Sequence, residues 1–163
     1  MFCIAALLSA CKGGEIYPII PSVEYDSYYL VKDGNGQVSY IGLIFKYKDG
    51  DGDIGLEDKD TVAPFIDYYA NNVYVDYLEK RGNNYEYVIA PPASGDTMRR
   101  EFKVMNITPE GKFKAIRGTI DVQFPPSKFV GRADTVKVKF FLIDRSLHLS
   151  NVAESADIIL SSN

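Results

Sequence analysis

Ile41-Gly42-Leu43-Ile44-Phe45-Lys46-Tyr47-Lys48-Asp49-Gly50-Asp51-Gly52-Asp53-Ile54-Gly55 joins an alternating strand to an acidic turn in one continuous run. Ile41, Leu43, Phe45 and Tyr47 recur with a period of two, which in an extended chain places all four on one face. The run stands behind Asp33-Gly34-Asn35-Gly36, a hairpin-type turn. Residues 23–31 and 37–47 are therefore expected to form an antiparallel pair. Directly after the strand, residues 49–60 carry six acidic side chains in twelve positions. Alternating Asp and Gly lets a tight backbone aim several carboxylates at one point, as is usual around a hard cation with oxygen ligands.

Working outward, further short runs of β-branched and aromatic residues alternate with turn signals. Strands are expected at residues 72–79, 85–89, 101–107, 113–124, 135–144 and 156–160. Residues 61–71 have no clear pattern, 91–96 read as a loop, and 108–111 as a turn. Ile116, Gly118, Ile120, Val122 and Phe124 share one face, as do Val136, Val138, Phe140 and Leu142, with Lys137 and Lys139 opposite. Seven to eight strands at these spacings, with no amphipathic helix, predict an all-β fold: an antiparallel β-sandwich of the immunoglobulin or fibronectin type. A barrel is the alternative. The chain has no Trp, so the Cys-Trp-Cys core of antibody domains is excluded.

Composition agrees with that class. A chain of 163 residues suits one buried core, and twelve Tyr with nine Phe favour strands. A hydrophobic share of 46% excludes wholesale disorder. The net charge of -4, without a basic face, argues against nucleic acid as a partner.

The acidic loop departs from an EF-hand, which requires acids at positions 1, 3 and 5, Gly at 6 and Glu at 12. Counting from Asp49, the acids Asp51 and Asp53 fit, but Ile54 falls at 6 and Asp60 at 12. Shorter calcium loops on β scaffolds use the same first three ligands with an acid near position 9. Asp49, Asp51, Asp53 and Glu57 are thus the expected ligands and calcium the expected ion. Magnesium suits fewer protein ligands and more water. A fully solvated acidic hairpin is the alternative, since close carboxylates repel unless a cation or water separates them.

At the N-terminus, residues 1–11 run apolar into Leu8-Ser9-Ala10-Cys11, the pattern of a bacterial lipoprotein signal whose Cys11 receives the lipid. No Lys or Arg precedes the apolar run, and the segment is shorter than the roughly 15 residues of an ordinary signal peptide, which leaves open whether the true start lies upstream of Met1. A buried N-terminal element with a free Cys is the alternative. Removal of Cys3 with the signal would leave a lipidated Cys11 and no disulfide. Without a membrane-spanning run, the lipid is the expected anchor. Residues 12–22, with two Gly and two Pro, read as a tether, and the domain is expected over 23–163.

Cys11, the strand that ends in Phe45-Lys46-Tyr47 before Asp49-Gly50-Asp51-Gly52-Asp53-Ile54-Gly55, and the late Asp144-Arg145-Ser146-Leu147-His148-Leu149-Ser150-Asn151 together resemble uncharacterised lipoproteins of Bacteroidota-type bacteria. The resemblance implies an immunoglobulin-like domain tethered to the cell envelope, at the outer membrane, and carries no activity. Export to the surface in such bacteria often goes with several acids after the lipidated Cys. Here Glu15 stands beside Lys12, which leaves the periplasmic and surface faces both open.

Two function classes follow. One is a non-catalytic binding or assembly module in which calcium rigidifies a loop facing a protein or glycan partner. The other is an envelope glycan hydrolase or similar acid-residue enzyme. His148, the only His, lacks a nucleophile motif around it. Glu101, Glu110 and Asp121 are carboxylates that could pair for glycoside hydrolysis, though such pairs arise by chance among 22 acids. The Tyr residues could stack on a glycan, or simply cover a sheet face. In an immunoglobulin-like order the loops after residue 47 and after residue 144 share a pole. Asp144 and Asn151 would then be additional oxygen donors, or Arg145 would balance the acidic loop. Otherwise Asp144 and Asn151 only shape their own turn.

Overall fold

The structure is a computed structural model and describes residues 16–89, 97–105, 114–127 and 133–160. Cys11 and its signal segment, the loop at 91–96, the turn at 108–111 and Glu110 lie outside the described residues.

Among the described residues, nine strands form two antiparallel sheets. They are β1 (Ser22–Lys32), β2 (Val38–Asp49), β3 (Val73–Arg81), β4 (Asn84–Tyr87), β5 (Arg99–Phe102), β6 (Ile116–Phe124), β7 (Thr135–Leu142), β8 (Ala153–Glu154) and β9 (Ile158–Ile159). One sheet has the order β1-β2-β6. The other has β4-β3-β7-β8, with β5 also on β3 and β9 also on β7. Consecutive strands that change sheet between β2 and β3, between β5 and β6 and between β6 and β7 give the immunoglobulin and fibronectin arrangement expected from the strand pattern.

Why the two sheets close is visible in the alternation. Ile41, Leu43 and Phe45 of β2 and Val136, Val138, Phe140 and Leu142 of β7 are almost completely buried, and so are Val73 and Val75 of β3. The Phe45 and Phe140 rings meet across the sandwich with centroids 4.8 Å apart. Burying each such side chain stabilises the fold by about 1.5–3 kcal/mol. The β1–β2 turn is held by Asp33, whose Oδ1 accepts the N–H groups of Asn35 and Gln37, both at 2.9 Å. Among the described residues no helix is long and apolar enough to cross a membrane.

Several boundaries differ from the sequence pattern, each for a local reason. In β1 the register shifts between Tyr25 and Ser27. This bulge at Asp26 changes parity, so both Tyr25 and Tyr28 pack on the core. The strand expected over 101–107 is β5, displaced toward Arg99, and the one expected over 85–89 is β4, ending at Tyr87. The strand expected over 156–160 is β9, shortened to Ile158–Ile159, and β8, which the pattern did not mark, precedes it; Ser155 stands between the two. Its Oγ accepts the Val138 N–H at 3.0 Å in place of a carbonyl and donates to the Ala156 oxygen at 2.8 Å. Ser150 does the same for the Leu142 N–H.

The unpatterned residues 61–71 contain a 3-10 helix, Asp67–Ala70. It covers the outer face of the larger sheet, where Tyr68 stacks on Tyr74 and Tyr74 on Phe141, with centroids 4.9 and 5.0 Å apart. Tyr74 is therefore buried along with its inward-facing neighbours Val73 and Val75, so β3 has apolar cover on both faces. On the smaller sheet, Tyr29 lies flat over its cross-strand partner Gly42, and a methyl at Gly42 would overlap the ring. The glycine in mid-strand makes room for the aromatic ring.

Candidate metal centre

The period-two face of β2 runs one residue beyond its apolar part. After Ile41, Leu43, Phe45 and Tyr47 the next inward position is Asp49, and it is fully buried. The facing strand repeats this arrangement: after Val136, Val138, Phe140 and Leu142 the next inward position is Asp144, 2% exposed. Because β2 and β7 end at the same pole, two buried carboxylates meet at the rim of the core. Asp51 and Asp53, from the turn that follows β2, complete a group whose ligand atoms all lie within 4.8 Å of one another.

The turn is shaped for this purpose. Gly52 and Gly55 take φ of 68° and 104°, a region closed to most side chains. Between them Ile54 is fully buried and joins the main core, so an apolar peg fixes the loop from below. Leu56 then bonds through its N–H to the Val104 oxygen at 2.9 Å. The segment after β7 closes over the loop from the other side. The Arg145 N–H donates to the Asp53 carbonyl at 3.1 Å, and the Ser146 hydroxyl donates to Asp53 Oδ2 at 2.7 Å. The two loops, about ninety residues apart in sequence, therefore share one pole of the sandwich, as the strand order required.

What the hydrogen bonds leave over decides the chemistry. Asp49 Oδ2 accepts the Asp53 N–H at 2.9 Å, and Asp144 receives the His148 N–H at 2.8 Å and approaches His148 Nδ1 at 2.9 Å. Yet Asp49 Oδ1, Asp51 Oδ1 and Asp53 Oδ1 are buried without any hydrogen-bond partner. Native structures rarely leave such atoms unsatisfied. Like charges this close repel by about 3–4 kcal/mol per pair at an effective dielectric of 20. Burial, with the charges of Asp51 and Asp53 next in weight, pushes the Asp49 carboxyl up to about 7. Burial likewise raises that of Asp144. A proton or a cation is the remedy for each of these features. The site thus could hold a metal ion, and its carboxylate oxygens suit a hard one.

The other sequence candidates fall elsewhere. Glu57 lies outside the four-carboxylate group: its side chain pairs with Lys59 at 2.7 Å and its N–H binds Asp60. Asn151 gives its side chain to β1, accepting the Val23 N–H and donating to the Val23 oxygen, both at 2.9 Å. It thereby extends the edge strand by one amide instead of facing the acids. Arg145 does balance an acid of the loop, but that acid is Asp60, which it grips with both terminal nitrogens. The pairing holds the Asp60 carboxyl below its usual range, and the guanidinium also lies over the Phe65 ring. Asp121 accepts the Tyr29 hydroxyl on the outer face of the small sheet. Glu101 binds Asn71. These acids are far apart in the fold and do not converge. Ser146 was not among the sequence candidates; its place two residues after an inward-facing Asp was the available signal.

In comparisons with known proteins, no protein-family model, curated protein or solved structure matches this chain, and its site is read from its own geometry.

Proposed function

We propose that this chain is a lipid-anchored module of the bacterial cell envelope, at the outer membrane, whose acidic pole binds calcium and presents the fastened loops to a protein or glycan partner without catalysis. The observation that carries the metal reading is the set of three buried, unpartnered carboxylate oxygens on Asp49, Asp51 and Asp53. Calcium fits the donor set better than magnesium. All four members of the group are carboxylates, and calcium accepts many of them where magnesium keeps its water. The ion joins Asp49, Asp51 and Asp53 of one loop to Asp144 of the other, so binding stiffens the whole pole.

Calorimetric titration and thermal melting test the metal. Calcium at a hundredfold excess over Kd should stabilise the fold by about 2.7 kcal/mol. Magnesium at the same concentration should do much less. Asp51→Asn combined with Asp53→Asn should remove the response, and a wild-type melt unmoved by calcium would sink this reading. For the anchor, which rests on Leu8 to Cys11, metabolic labelling with a tagged fatty acid should mark the wild type and spare Cys11→Ala. Equal labelling of both would exclude Cys11 as the lipidated residue.

A further inference from the structure

The chain reaches β1 by crossing the acidic loop. The carbonyl oxygens of Tyr17 and Pro18 are set against Gly50, so closely that a methyl there would stand 2.6 Å from the Pro18 oxygen and nearer still to that of Tyr17. Gly50 is not among the glycines with positive φ. A glycine is therefore needed at this position for space, where one backbone passes over another, and not for its dihedral freedom. Lys48, two residues earlier, holds its ammonium 5.8 Å from the centre of the Tyr17 ring. Arg117 donates to the Tyr17 hydroxyl at 3.5 Å. At the far end of the same segment, Asn151 grips both backbone groups of Val23. Residues 17–23 are thus bracketed by the two loops that supply the four carboxylates.

We propose that the metal site is a clasp on this segment: the bound cation docks residues 17–23 against the sandwich, and its loss releases them. The inference rests on the calcium reading and adds the regulation of that same site. Gly50 lies between Asp49 and Asp51, two members of the four-carboxylate group. Without a cation, mutual repulsion favours opening and hydration of the turn, and the surface that the segment crosses is lost. The two carbonyl oxygens also direct partial negative charge at the backbone of an acidic loop, an arrangement that a cation makes favourable. With the lipid on Cys11 as anchor, the ion concentration would set whether the domain stands fixed or swings on its tether.

Hydrogen exchange on the full chain, in calcium and in chelator, reads the clasp directly, with calorimetry run alongside. Calcium should slow exchange in residues 16–23 by on the order of tenfold. Gly50→Ala should bind calcium and yet leave the segment exchanging as in chelator. Tyr17→Ala, a change outside the loop, should reduce the protection partly. Calcium heat without slowed exchange in the wild type would overturn the clasp and leave the metal reading standing. So would wild-type protection in a calcium-bound Gly50→Ala. Absence of calcium heat would overturn the metal reading and the clasp with it.

Discussion

Replacing Asp49 by Asn should make the metal-free protein more stable and the calcium-loaded protein less so. An Asn at position 49 keeps an oxygen for the Asp53 N–H, which Asp49 now accepts at 2.9 Å. It also brings an amide into reach of the unpartnered oxygens of Asp51 and Asp53, and it removes one buried negative charge. Relieving a buried unsatisfied group is worth about 1–3 kcal/mol, which for a domain of this size raises Tm by about 3–10 °C. The same change removes a ligand and should abolish most of the calcium gain, about 4.1 kcal/mol at a thousandfold excess over Kd. The melting curves of the two proteins should therefore exchange order between chelator and calcium. A variant that is less stable in both conditions, and still shifts with calcium, would mean that Asp49 serves the fold and binds no ion.

The features behind this prediction were partly legible in the sequence, and the alternation of β2 and β7 shows why. Period-two patterns reveal which side chains face inward, and the same count carried one step further makes Asp49 and Asp144 inward residues. The strand order then brings them to one pole. What alternation cannot reveal is how a chain turns after leaving a strand. Glu57 has the sequence spacing of a ligand, but Gly55 at φ 104° and the buried Leu56 redirect the backbone, and Lys59 takes its carboxylate. Asn151 is equally opaque, because its partner Val23 lies 128 residues away on an edge whose free backbone groups no local pattern records. The parity change at Asp26 and the break between β8 and β9 have a related origin. In each case a single residue, through a bulge or a Ser hydroxyl replacing a carbonyl, alters the ladder at no visible change in hydrophobic content.

The second large effect concerns pH, and calcium should cancel it. In the metal-free protein, burial and the charges of Asp51 and Asp53 move the Asp49 carboxyl from near 3.8 to about 7. Asp144 moves in the same direction through burial, with the Asp53 charge adding to it. Between about pH 4 and 7 the folded protein then holds protons that the unfolded chain has released, so stability falls as pH rises through that window. At about 1.4 kcal/mol per pKa unit, Asp49 alone would account for roughly 4 kcal/mol. His148, raised from 6.5 by its hydrogen bond to Asp144, stabilises the folded state when protonated and loses that contribution only as pH rises above about 6.5, which extends the fall beyond the carboxylate window. Below about pH 4 the order changes, because Asp60 is held down by Arg145 and protonating it removes a stabilising pair. The chelated protein should accordingly melt highest near pH 4–5. Calcium needs the carboxylates ionised and competes with the protons on Asp49 and Asp144. In saturating calcium neither the loaded nor the unfolded form holds those protons between pH 5 and 7.5, so the melting temperature should stay nearly level there, and the calcium increment should shrink toward pH 4. Melting temperatures recorded against pH in chelator and in calcium give the comparison. Parallel curves between pH 5 and 7.5 would show that the ion and the protons do not share a site, and would remove the four carboxylates from the account of metal binding.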